Sequence, residues 1–244
     1  MTRSVALVAG VGAELGLGAA IARAFAKHGH HAIAAGRTAA KVERVAASIR
    51  AAGGSAEALV LDVTDESAVV GAFAGIEAAH PGGLDAVLYN AGNNRPAPLR
   101  DTSVAHFEEL WRVACLGGFI VGREAARALA PRGRGTIVFT GASASLRGKA
   151  NFAAFAAAKA GIRAVAQSMA REFGSQGVHV AHVIVDGVID GEIIHTRFPQ
   201  AVDRLGRDGL LNVDDIAANH WHLHSQPRSA WTHEIDLRPF KERW

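Results

Sequence analysis

The sequence predicts an α/β fold: one domain built on a doubly wound parallel sheet with helices on both faces. Three observations predict it. Short apolar runs alternate with segments of helical periodicity along the chain, the pattern of a parallel sheet covered by helices. The first run, residues 5–9, is continuously apolar, as a strand buried on both faces requires. That run leads directly into a glycine-rich turn and an amphipathic helix.

Taken in order, strand 5–9 is ended by glycines, and residues 15–28 carry Leu15, Ile21, Ala22 and Phe25 at helical spacing. A second strand spans 31–35. Thr38 is placed to cap the next helix, which runs to about residue 52. The third strand, 58–61, ends at Asp62. Asp65 opens a helix to residue 79, broken by Pro81-Gly82-Gly83. A fourth strand covers 84–89, followed by a loop with Pro96 and Pro98 and a long helix over 103–129, loosened by Gly117-Gly118. Strands at 136–140 and 178–185 flank an Ala-rich helix over 152–173. Residues 190–212 carry mixed signals and read as a mobile substrate-binding flap. A last helix over 213–224 and a strand over 231–237 complete the single domain, 1–244.

The 244 residues suffice for one large core. Hydrophobic residues make up 49% and charged residues 20%, ordinary values for a folded soluble chain. The 26 basic residues are scattered, without a run of five, which speaks against nucleic acid and membrane partners. Cys115 is the only cysteine, so no internal disulfide can form. The apolar start is too short for a signal peptide, and the reading is cytoplasmic.

The turn after the first strand reads Gly10-Val11-Gly12-Ala13-Glu14-Leu15-Gly16-Leu17-Gly18. The dinucleotide fingerprint G-x-G-x-x-G fails at Leu15, but Gly12-x-x-x-Gly16-x-Gly18 fits a longer turn of the same kind. Glycine lets the backbone approach a pyrophosphate, and the helix that follows aims free N–H groups and its positive dipole end at the phosphates. Glu14 must then point away from the anion. After the second strand stand Arg37 and Thr38, with no acid to bind a ribose 2′-hydroxyl. A guanidinium and a hydroxyl suit a 2′-phosphate, so NADP(H) is favoured over NAD(H).

Together these residues resemble the short-chain dehydrogenase/reductase family over nearly the whole chain. The family's T-G-x-x-x-G-x-G appears as Val11-Gly12 with Gly16 and Gly18. Its Asp-Val after the third strand is Asp62-Val63, its N-N-A-G is Tyr89-Asn90-Ala91-Gly92, and its lysine is Lys159. The resemblance implies a Rossmann-like seven-stranded parallel sheet. It implies a coenzyme against Gly12, Gly16, Leu17, Arg37, Thr38, Asp62, Val63, Asn90, Ala91, Gly92, Lys159, Gly187 and Ile189. Asp62 would bind the adenine amino group and Lys159 the nicotinamide ribose. The usual assembly is a homodimer or homotetramer through the two long helices, and small side chains on the Ala-rich helix suit close packing across a two-fold axis.

The catalytic positions depart from the family pattern. Phe155 stands where the family has its tyrosine, Cys115 where it has an asparagine, and Ala142 where it has a serine, with Ser143 and Ser145 close by. Asp186-Gly187 replaces proline-glycine. In the family the lysine also lowers the tyrosine pKa so that the phenol can exchange a proton. Without a positioned general acid, a reaction loses roughly 10²–10⁴-fold, about 3–5 kcal/mol of barrier. Lys159 and Ser143 are the catalytic candidates. Ser143 can hold a substrate oxygen or act only as a turn residue. Asp186 and Asp190 can donate a proton, pair with a cationic substrate, or cap their loop. Cys115, Phe152, Phe155 and Asp190, with Ile189, Ile193 and Phe198, suit a pocket for a small hydrophobic molecule; Cys115 also suits a buried packing role.

Two functions follow as expectations. One is an NADP(H)-dependent oxidoreductase acting on an imine or iminium, an activated carbonyl or an enone. The other is a catalytically silent NADP-binding protein serving as sensor or partner subunit. Of the 12 histidines, His220 and His224 share a helix face, but two histidines without a third ligand make a poor zinc site, so no metal is expected. His30, His31, His179 and His182 read as packing residues, and Trp221, Trp231 and Trp244 as C-terminal packing.

Overall fold

A computed structural model describes residues 3–92, 94–206 and 208–242; Trp244 lies outside them. Seven strands form one sheet: β1 (Val5–Ala9), β2 (His31–Gly36), β3 (Ser55–Val60), β4 (Leu84–Tyr89), β5 (Thr136–Thr140), β6 (His179–Val185) and β9 (Glu234–Leu237). Their order is β3-β2-β1-β4-β5-β6-β9, and every neighbouring pair is parallel. A second, two-stranded sheet pairs β7 (Ile189–Asp190) with β8 (Leu211–Asn212). The predicted fold class is the observed one: a single-domain, Rossmann-like α/β sheet covered on both sides.

Strand alternation explains the two layers. Ala6 and Val8 face one core with α1 (Leu17–Lys27), α2 (Ala39–Ala51) and α9 (Val213–His224). Val5, Leu7 and Ala9 face the other core, with α3 (Glu66–Ala79), α5 (Gly117–Leu129) and α6 (Ala153–Phe173). All five β1 residues are fully buried. Because the chain runs outward from β1 to β3 and then returns to β4, the order reverses between β1 and β4. In sheets of this kind ligands usually bind at such a reversal, outside the carboxyl ends of the two strands.

Several boundaries differ from the sequence expectations. The first helix begins at Leu17 because Gly16 is extended, with φ −103° and ψ 163°. The Thr38 side chain makes no capping bond, whereas Asp65 does cap α3, accepting from the Ala68 amide. The third strand begins at Ser55 and the last at Glu234. The long helix divides into α4 (Val104–Trp111), a π-helical turn (Arg112–Leu116) and α5. The segment expected to be a flap contains two short helices, α7 (Glu192–Arg197) and α8 (Pro199–Leu205), closed at its base by the β7–β8 pairing.

Candidate active site

The glycine turn is held by contacts that only glycine allows. Gly10 has φ +104°, and a Cβ there would lie 2.3 Å from the Ala91 amide nitrogen. A Cβ on Gly18 would lie 2.5 Å from the Gly10 carbonyl oxygen. Asn90 donates its side-chain amide to that same carbonyl at 3.2 Å. Asn90 therefore ties the end of β4 to the turn after β1. Gly12 is different, since a Cβ there would meet nothing within 4 Å. Its openness is what a site for an approaching phosphate requires. No side chain caps the start of α1, and its first turn carries no acid. The first N–H groups of a helix have no partner within it and are available to an anion. The residues present fit a dinucleotide pyrophosphate.

Further along the same strand edge, Arg37 and Thr38 are exposed after β2. Asp62 accepts from the Thr64 amide at 2.9 Å and the Thr64 hydroxyl at 2.8 Å. These bonds, helped by the charge of Arg37, hold its carboxyl below the usual range. Asp62 is thus an oriented carboxylate, and Val63 beside it is buried. On the β6 side, Gly187 packs so closely that a Cβ would lie 2.8 Å from Pro239. Ile189 follows as the half-buried first residue of β7. Leu17 is buried at the start of α1.

Lys159 is the central charged group. It is buried on α6, donates to the Thr140 carbonyl oxygen at 2.7 Å, and would lie 3.4 Å from a Cβ on Gly92. Burial pushes its pKa down to about 8. One helical turn earlier, the Phe155 ring lies 5.8 Å from its ammonium. The chain's single tyrosine cannot supply a phenol from elsewhere. Tyr89 is buried at the end of β4, donates its hydroxyl to the Val113 carbonyl oxygen, and burial raises its pKa further. That lone tyrosine was legible in the composition.

The remaining candidates separate by their contacts. Ser143 opens a short 3₁₀ turn and is half-buried. Ser145 is buried, accepts from the Ala142 amide at 3.2 Å and lies 3.5 Å from His182 Nε2. His182 Nδ1 lies 2.9 Å from Glu234, which accepts two bonds of 2.7 Å from Arg163. Burial drives His182 down to about 4 despite the carboxylate, so the ring is neutral. This chain of four was missed in the sequence, where His182 read as a packing residue. Asp186 is buried and gripped by Arg147 through both oxygens, at 3.2 and 3.0 Å, with Arg238 at 3.3 Å. Asp190 pairs with His195 at 2.5 Å.

Cys115 sits in the π-helical turn, a feature common at functional sites. It packs on α6, where a Cβ on Gly161 would lie 2.6 Å from its sulfur. Burial raises its thiol pKa, leaving it protonated. Phe152 and Phe155 are half-buried at the start of α6. Ile193 and Phe198 are exposed on α7 and just after it.

These features coincide with what comparison with known proteins finds. A sequence model of the short chain dehydrogenase family matches residues 4–201, and the chain belongs to that family. It is similar to gluconate 5-dehydrogenase of Gluconobacter oxydans (strain 621H), with 32% identity over 169 residues. That match covers 69% of this chain and 66% of that protein. Among solved structures, a short-chain dehydrogenase from Rhodopseudomonas palustris is 38% identical. The superposition covers 97% of this chain and 99% of that one, with a TM-score of 0.82. A metagenomic short-chain oxidoreductase solved in complex with NADP is 28% identical over 98% of each chain, with a TM-score of 0.83.

Proposed function

We propose that this protein is an NADP(H)-dependent oxidoreductase that moves hydride to or from a small hydrophobic substrate without a tyrosine proton donor. The observation that carries the reading is the Lys159–Phe155 pair. The ammonium is retained and buried, while the side chain one turn away has no hydroxyl to exchange a proton. The coenzyme, when bound, supplies the hydride. Gly12 and the uncapped start of α1 would receive its pyrophosphate, Asp62 its adenine amino group, and Lys159 its nicotinamide ribose. Exposed Arg37 and Thr38 support selection of the 2′-phosphate.

Substrate class follows from the proton balance. A ketone that accepts hydride becomes an alkoxide and needs a proton at once. An iminium ion already carries the charge that protonation would provide, so it becomes a neutral amine on hydride transfer alone. On this reading the neutral thiol of Cys115 and the rings of Phe152 and Phe155 would offer an apolar surrounding for such a cation, and Asp190 would exchange its His195 partner for it. Residues 190–212 would cover the substrate through Ile193 and Phe198. The missing phenol favours one other reading, a silent NADP-binding sensor or partner subunit.

A coenzyme-consumption screen over cyclic imines, enones and simple ketones tests these readings. The proposal expects turnover of imines or enones well above that of ketones. Turnover of ketones alone would reject the substrate class, and tight NADPH binding with no turnover of any compound would favour the silent protein. Val104, Phe107 and Trp111 form an exposed apolar row at helical spacing on α4. That row supports a homo-oligomer joined through the long helices. The cytoplasmic location expected from the sequence belongs to the same reading.

A further inference from the structure

Far from the coenzyme crevice, His31, Glu57 and His80 converge at the amino-terminal edge of the sheet. His31 opens β2, Glu57 lies on β3, and His80 ends α3. Parallel registry sets Ile33 opposite Glu57. His31 shares the strand face of Ile33, which packs in the core layer containing α3. His30 points to the opposite face, so the consecutive histidines serve different surroundings.

The geometry is unusual in one respect. His31 Nε2 and His80 Nε2 are both buried atoms with no hydrogen-bond partner among the described residues. Orphaned buried nitrogens are costly, and each invites an explanation. Both lie against one carboxylate, His31 Nε2 at 3.6 Å from Glu57 Oε2 and His80 Nε2 at 3.7 Å from Oε1. Those separations exceed a hydrogen bond. They are close to the spacing of about 3.3 Å between ligand atoms around a tetrahedral ion with bonds of about 2.0–2.1 Å. The three donor atoms fall within 4.8 Å of one another.

We propose that His31, Glu57 and His80 bind a divalent transition-metal ion, with zinc as the natural candidate. Two imidazoles and one carboxylate suit zinc and its neighbours rather than calcium or magnesium. His31 Nδ1 lies 2.7 Å from the Ser55 hydroxyl. That bond orients the ring and, with Nδ1 as donor, leaves the Nε2 lone pair facing inward, the support commonly given to a metal-bound histidine. The Glu57 side chain is 47% exposed, which gives an ion a path from solvent and leaves room for a water as fourth ligand. Arg3 is a cation whose charge reaches His31; the Glu57 carboxylate at ligand distance opposes it. The bound ion would clamp β2 and β3 to the end of α3.

The second group of this kind differs in its bonding. In His30, Asp85 and His224, the His224 ring is placed much as His31 is, with Nδ1 on the Thr136 hydroxyl at 3.0 Å and Nε2 3.6 Å from the carboxylate, but His30 Nε2 already bonds Asp85 at 3.4 Å and Arg134 lies 3.7 Å from the same carboxylate. It therefore serves as the control. Untagged, chelator-stripped protein titrated with Zn²⁺ in a calorimeter should take up one equivalent. His80→Gln and Glu57→Gln should each weaken that uptake at least tenfold, and His224→Gln should leave it unchanged. In the unmodified protein, long-range ¹H–¹⁵N spectra should show the Nε2 resonances of His31 and His80 shifting together on zinc addition. Absence of saturable uptake overturns the proposal. So does uptake that survives His80→Gln and is lost in His224→Gln, or zinc addition that leaves both nitrogen resonances in place.

Discussion

Lys159 and Phe155 are one helical turn apart, with the ammonium nitrogen 5.8 Å from the ring centroid. A buried cation of this kind ordinarily finds an acceptor. Here it finds the Thr140 carbonyl oxygen on one side and an aromatic face on the other. The relationship defines what the site lacks. Restoring a hydroxyl by Phe155→Tyr should therefore raise NADPH-dependent ketone reduction by roughly 10²–10⁴-fold over the unmodified protein. Initial-rate assays on a panel of small ketones check this. No gain would mean that Cys115 and Ala142 have also removed the groups that hold a carbonyl oxygen.

The same lysine should give coenzyme binding a pH dependence. Burial holds its pKa near 8, below the usual value. Deprotonation above that pH removes the charge facing the coenzyme, so affinity should fall as pH rises from 7 to 9. The linkage for stability has the opposite sense. Between about pH 8 and the unfolded value of 10.5 the unfolded chain binds more protons, so this group's contribution to stability rises with pH. Lys159→Met should bind NADPH weakly and lose this pH dependence. Fluorescence titrations at several pH values, with thermal melts alongside, separate the two effects.

Two glycines in the turn should behave differently. Gly10→Ala forces a Cβ against the Ala91 backbone at a positive φ, so the protein should lose stability or fail to fold. Gly12→Ala meets open space. It should melt close to the unmodified protein and still lose at least tenfold in coenzyme affinity, because the new methyl group occupies the approach to the turn. Parallel melting and calorimetric binding experiments read both variants. Equal loss of stability in the two would contradict the assignment of Gly12 to ligand approach.

Acid should destabilise the fold before most carboxylates titrate. Burial drives His182, His220 and His224 down to about 4, whereas the unfolded rings titrate near 6.5. Between those values the unfolded chain binds more protons, so stability falls as pH drops from 6.5 toward 4. A decrease in Tm of roughly 10–20 °C from pH 7 to pH 5 is expected. His220→Leu should shrink that decrease, since His220 is completely buried, with its Nε2 3.3 Å from the Thr140 hydroxyl.

Local patterns carried the fold and suggested the coenzyme side of the candidate site. The apolar run of β1, the glycines that follow it and the Asp65 cap are each decided by neighbouring residues, so the sequence exposes them directly. The four-residue spacing from Phe155 to Lys159 is equally local, because a helix stacks such positions. Contacts set by tertiary packing were not legible. Ser145 and His182 are 37 residues apart, and His182 and Glu234 are 52; no spacing announces their meeting. Asp186 suited a loop cap or a proton donor in the sequence, and its guanidinium partners, Arg147 beyond β5 and Arg238 beyond β9, reach it only because those two strands flank β6. The 190–212 segment mixes polar and apolar residues because its two helices are short and lie at the surface, so periodicity had too few turns to register.

The proposed function places a phosphorylated dinucleotide across the Gly10–Gly18 turn, gripped by Lys159. Calorimetric titration should show saturable one-to-one binding of NADPH in the micromolar range, weaker binding of NADH, and loss of that preference in Arg37→Ala. Absence of binding for both coenzymes at millimolar concentration would contradict it.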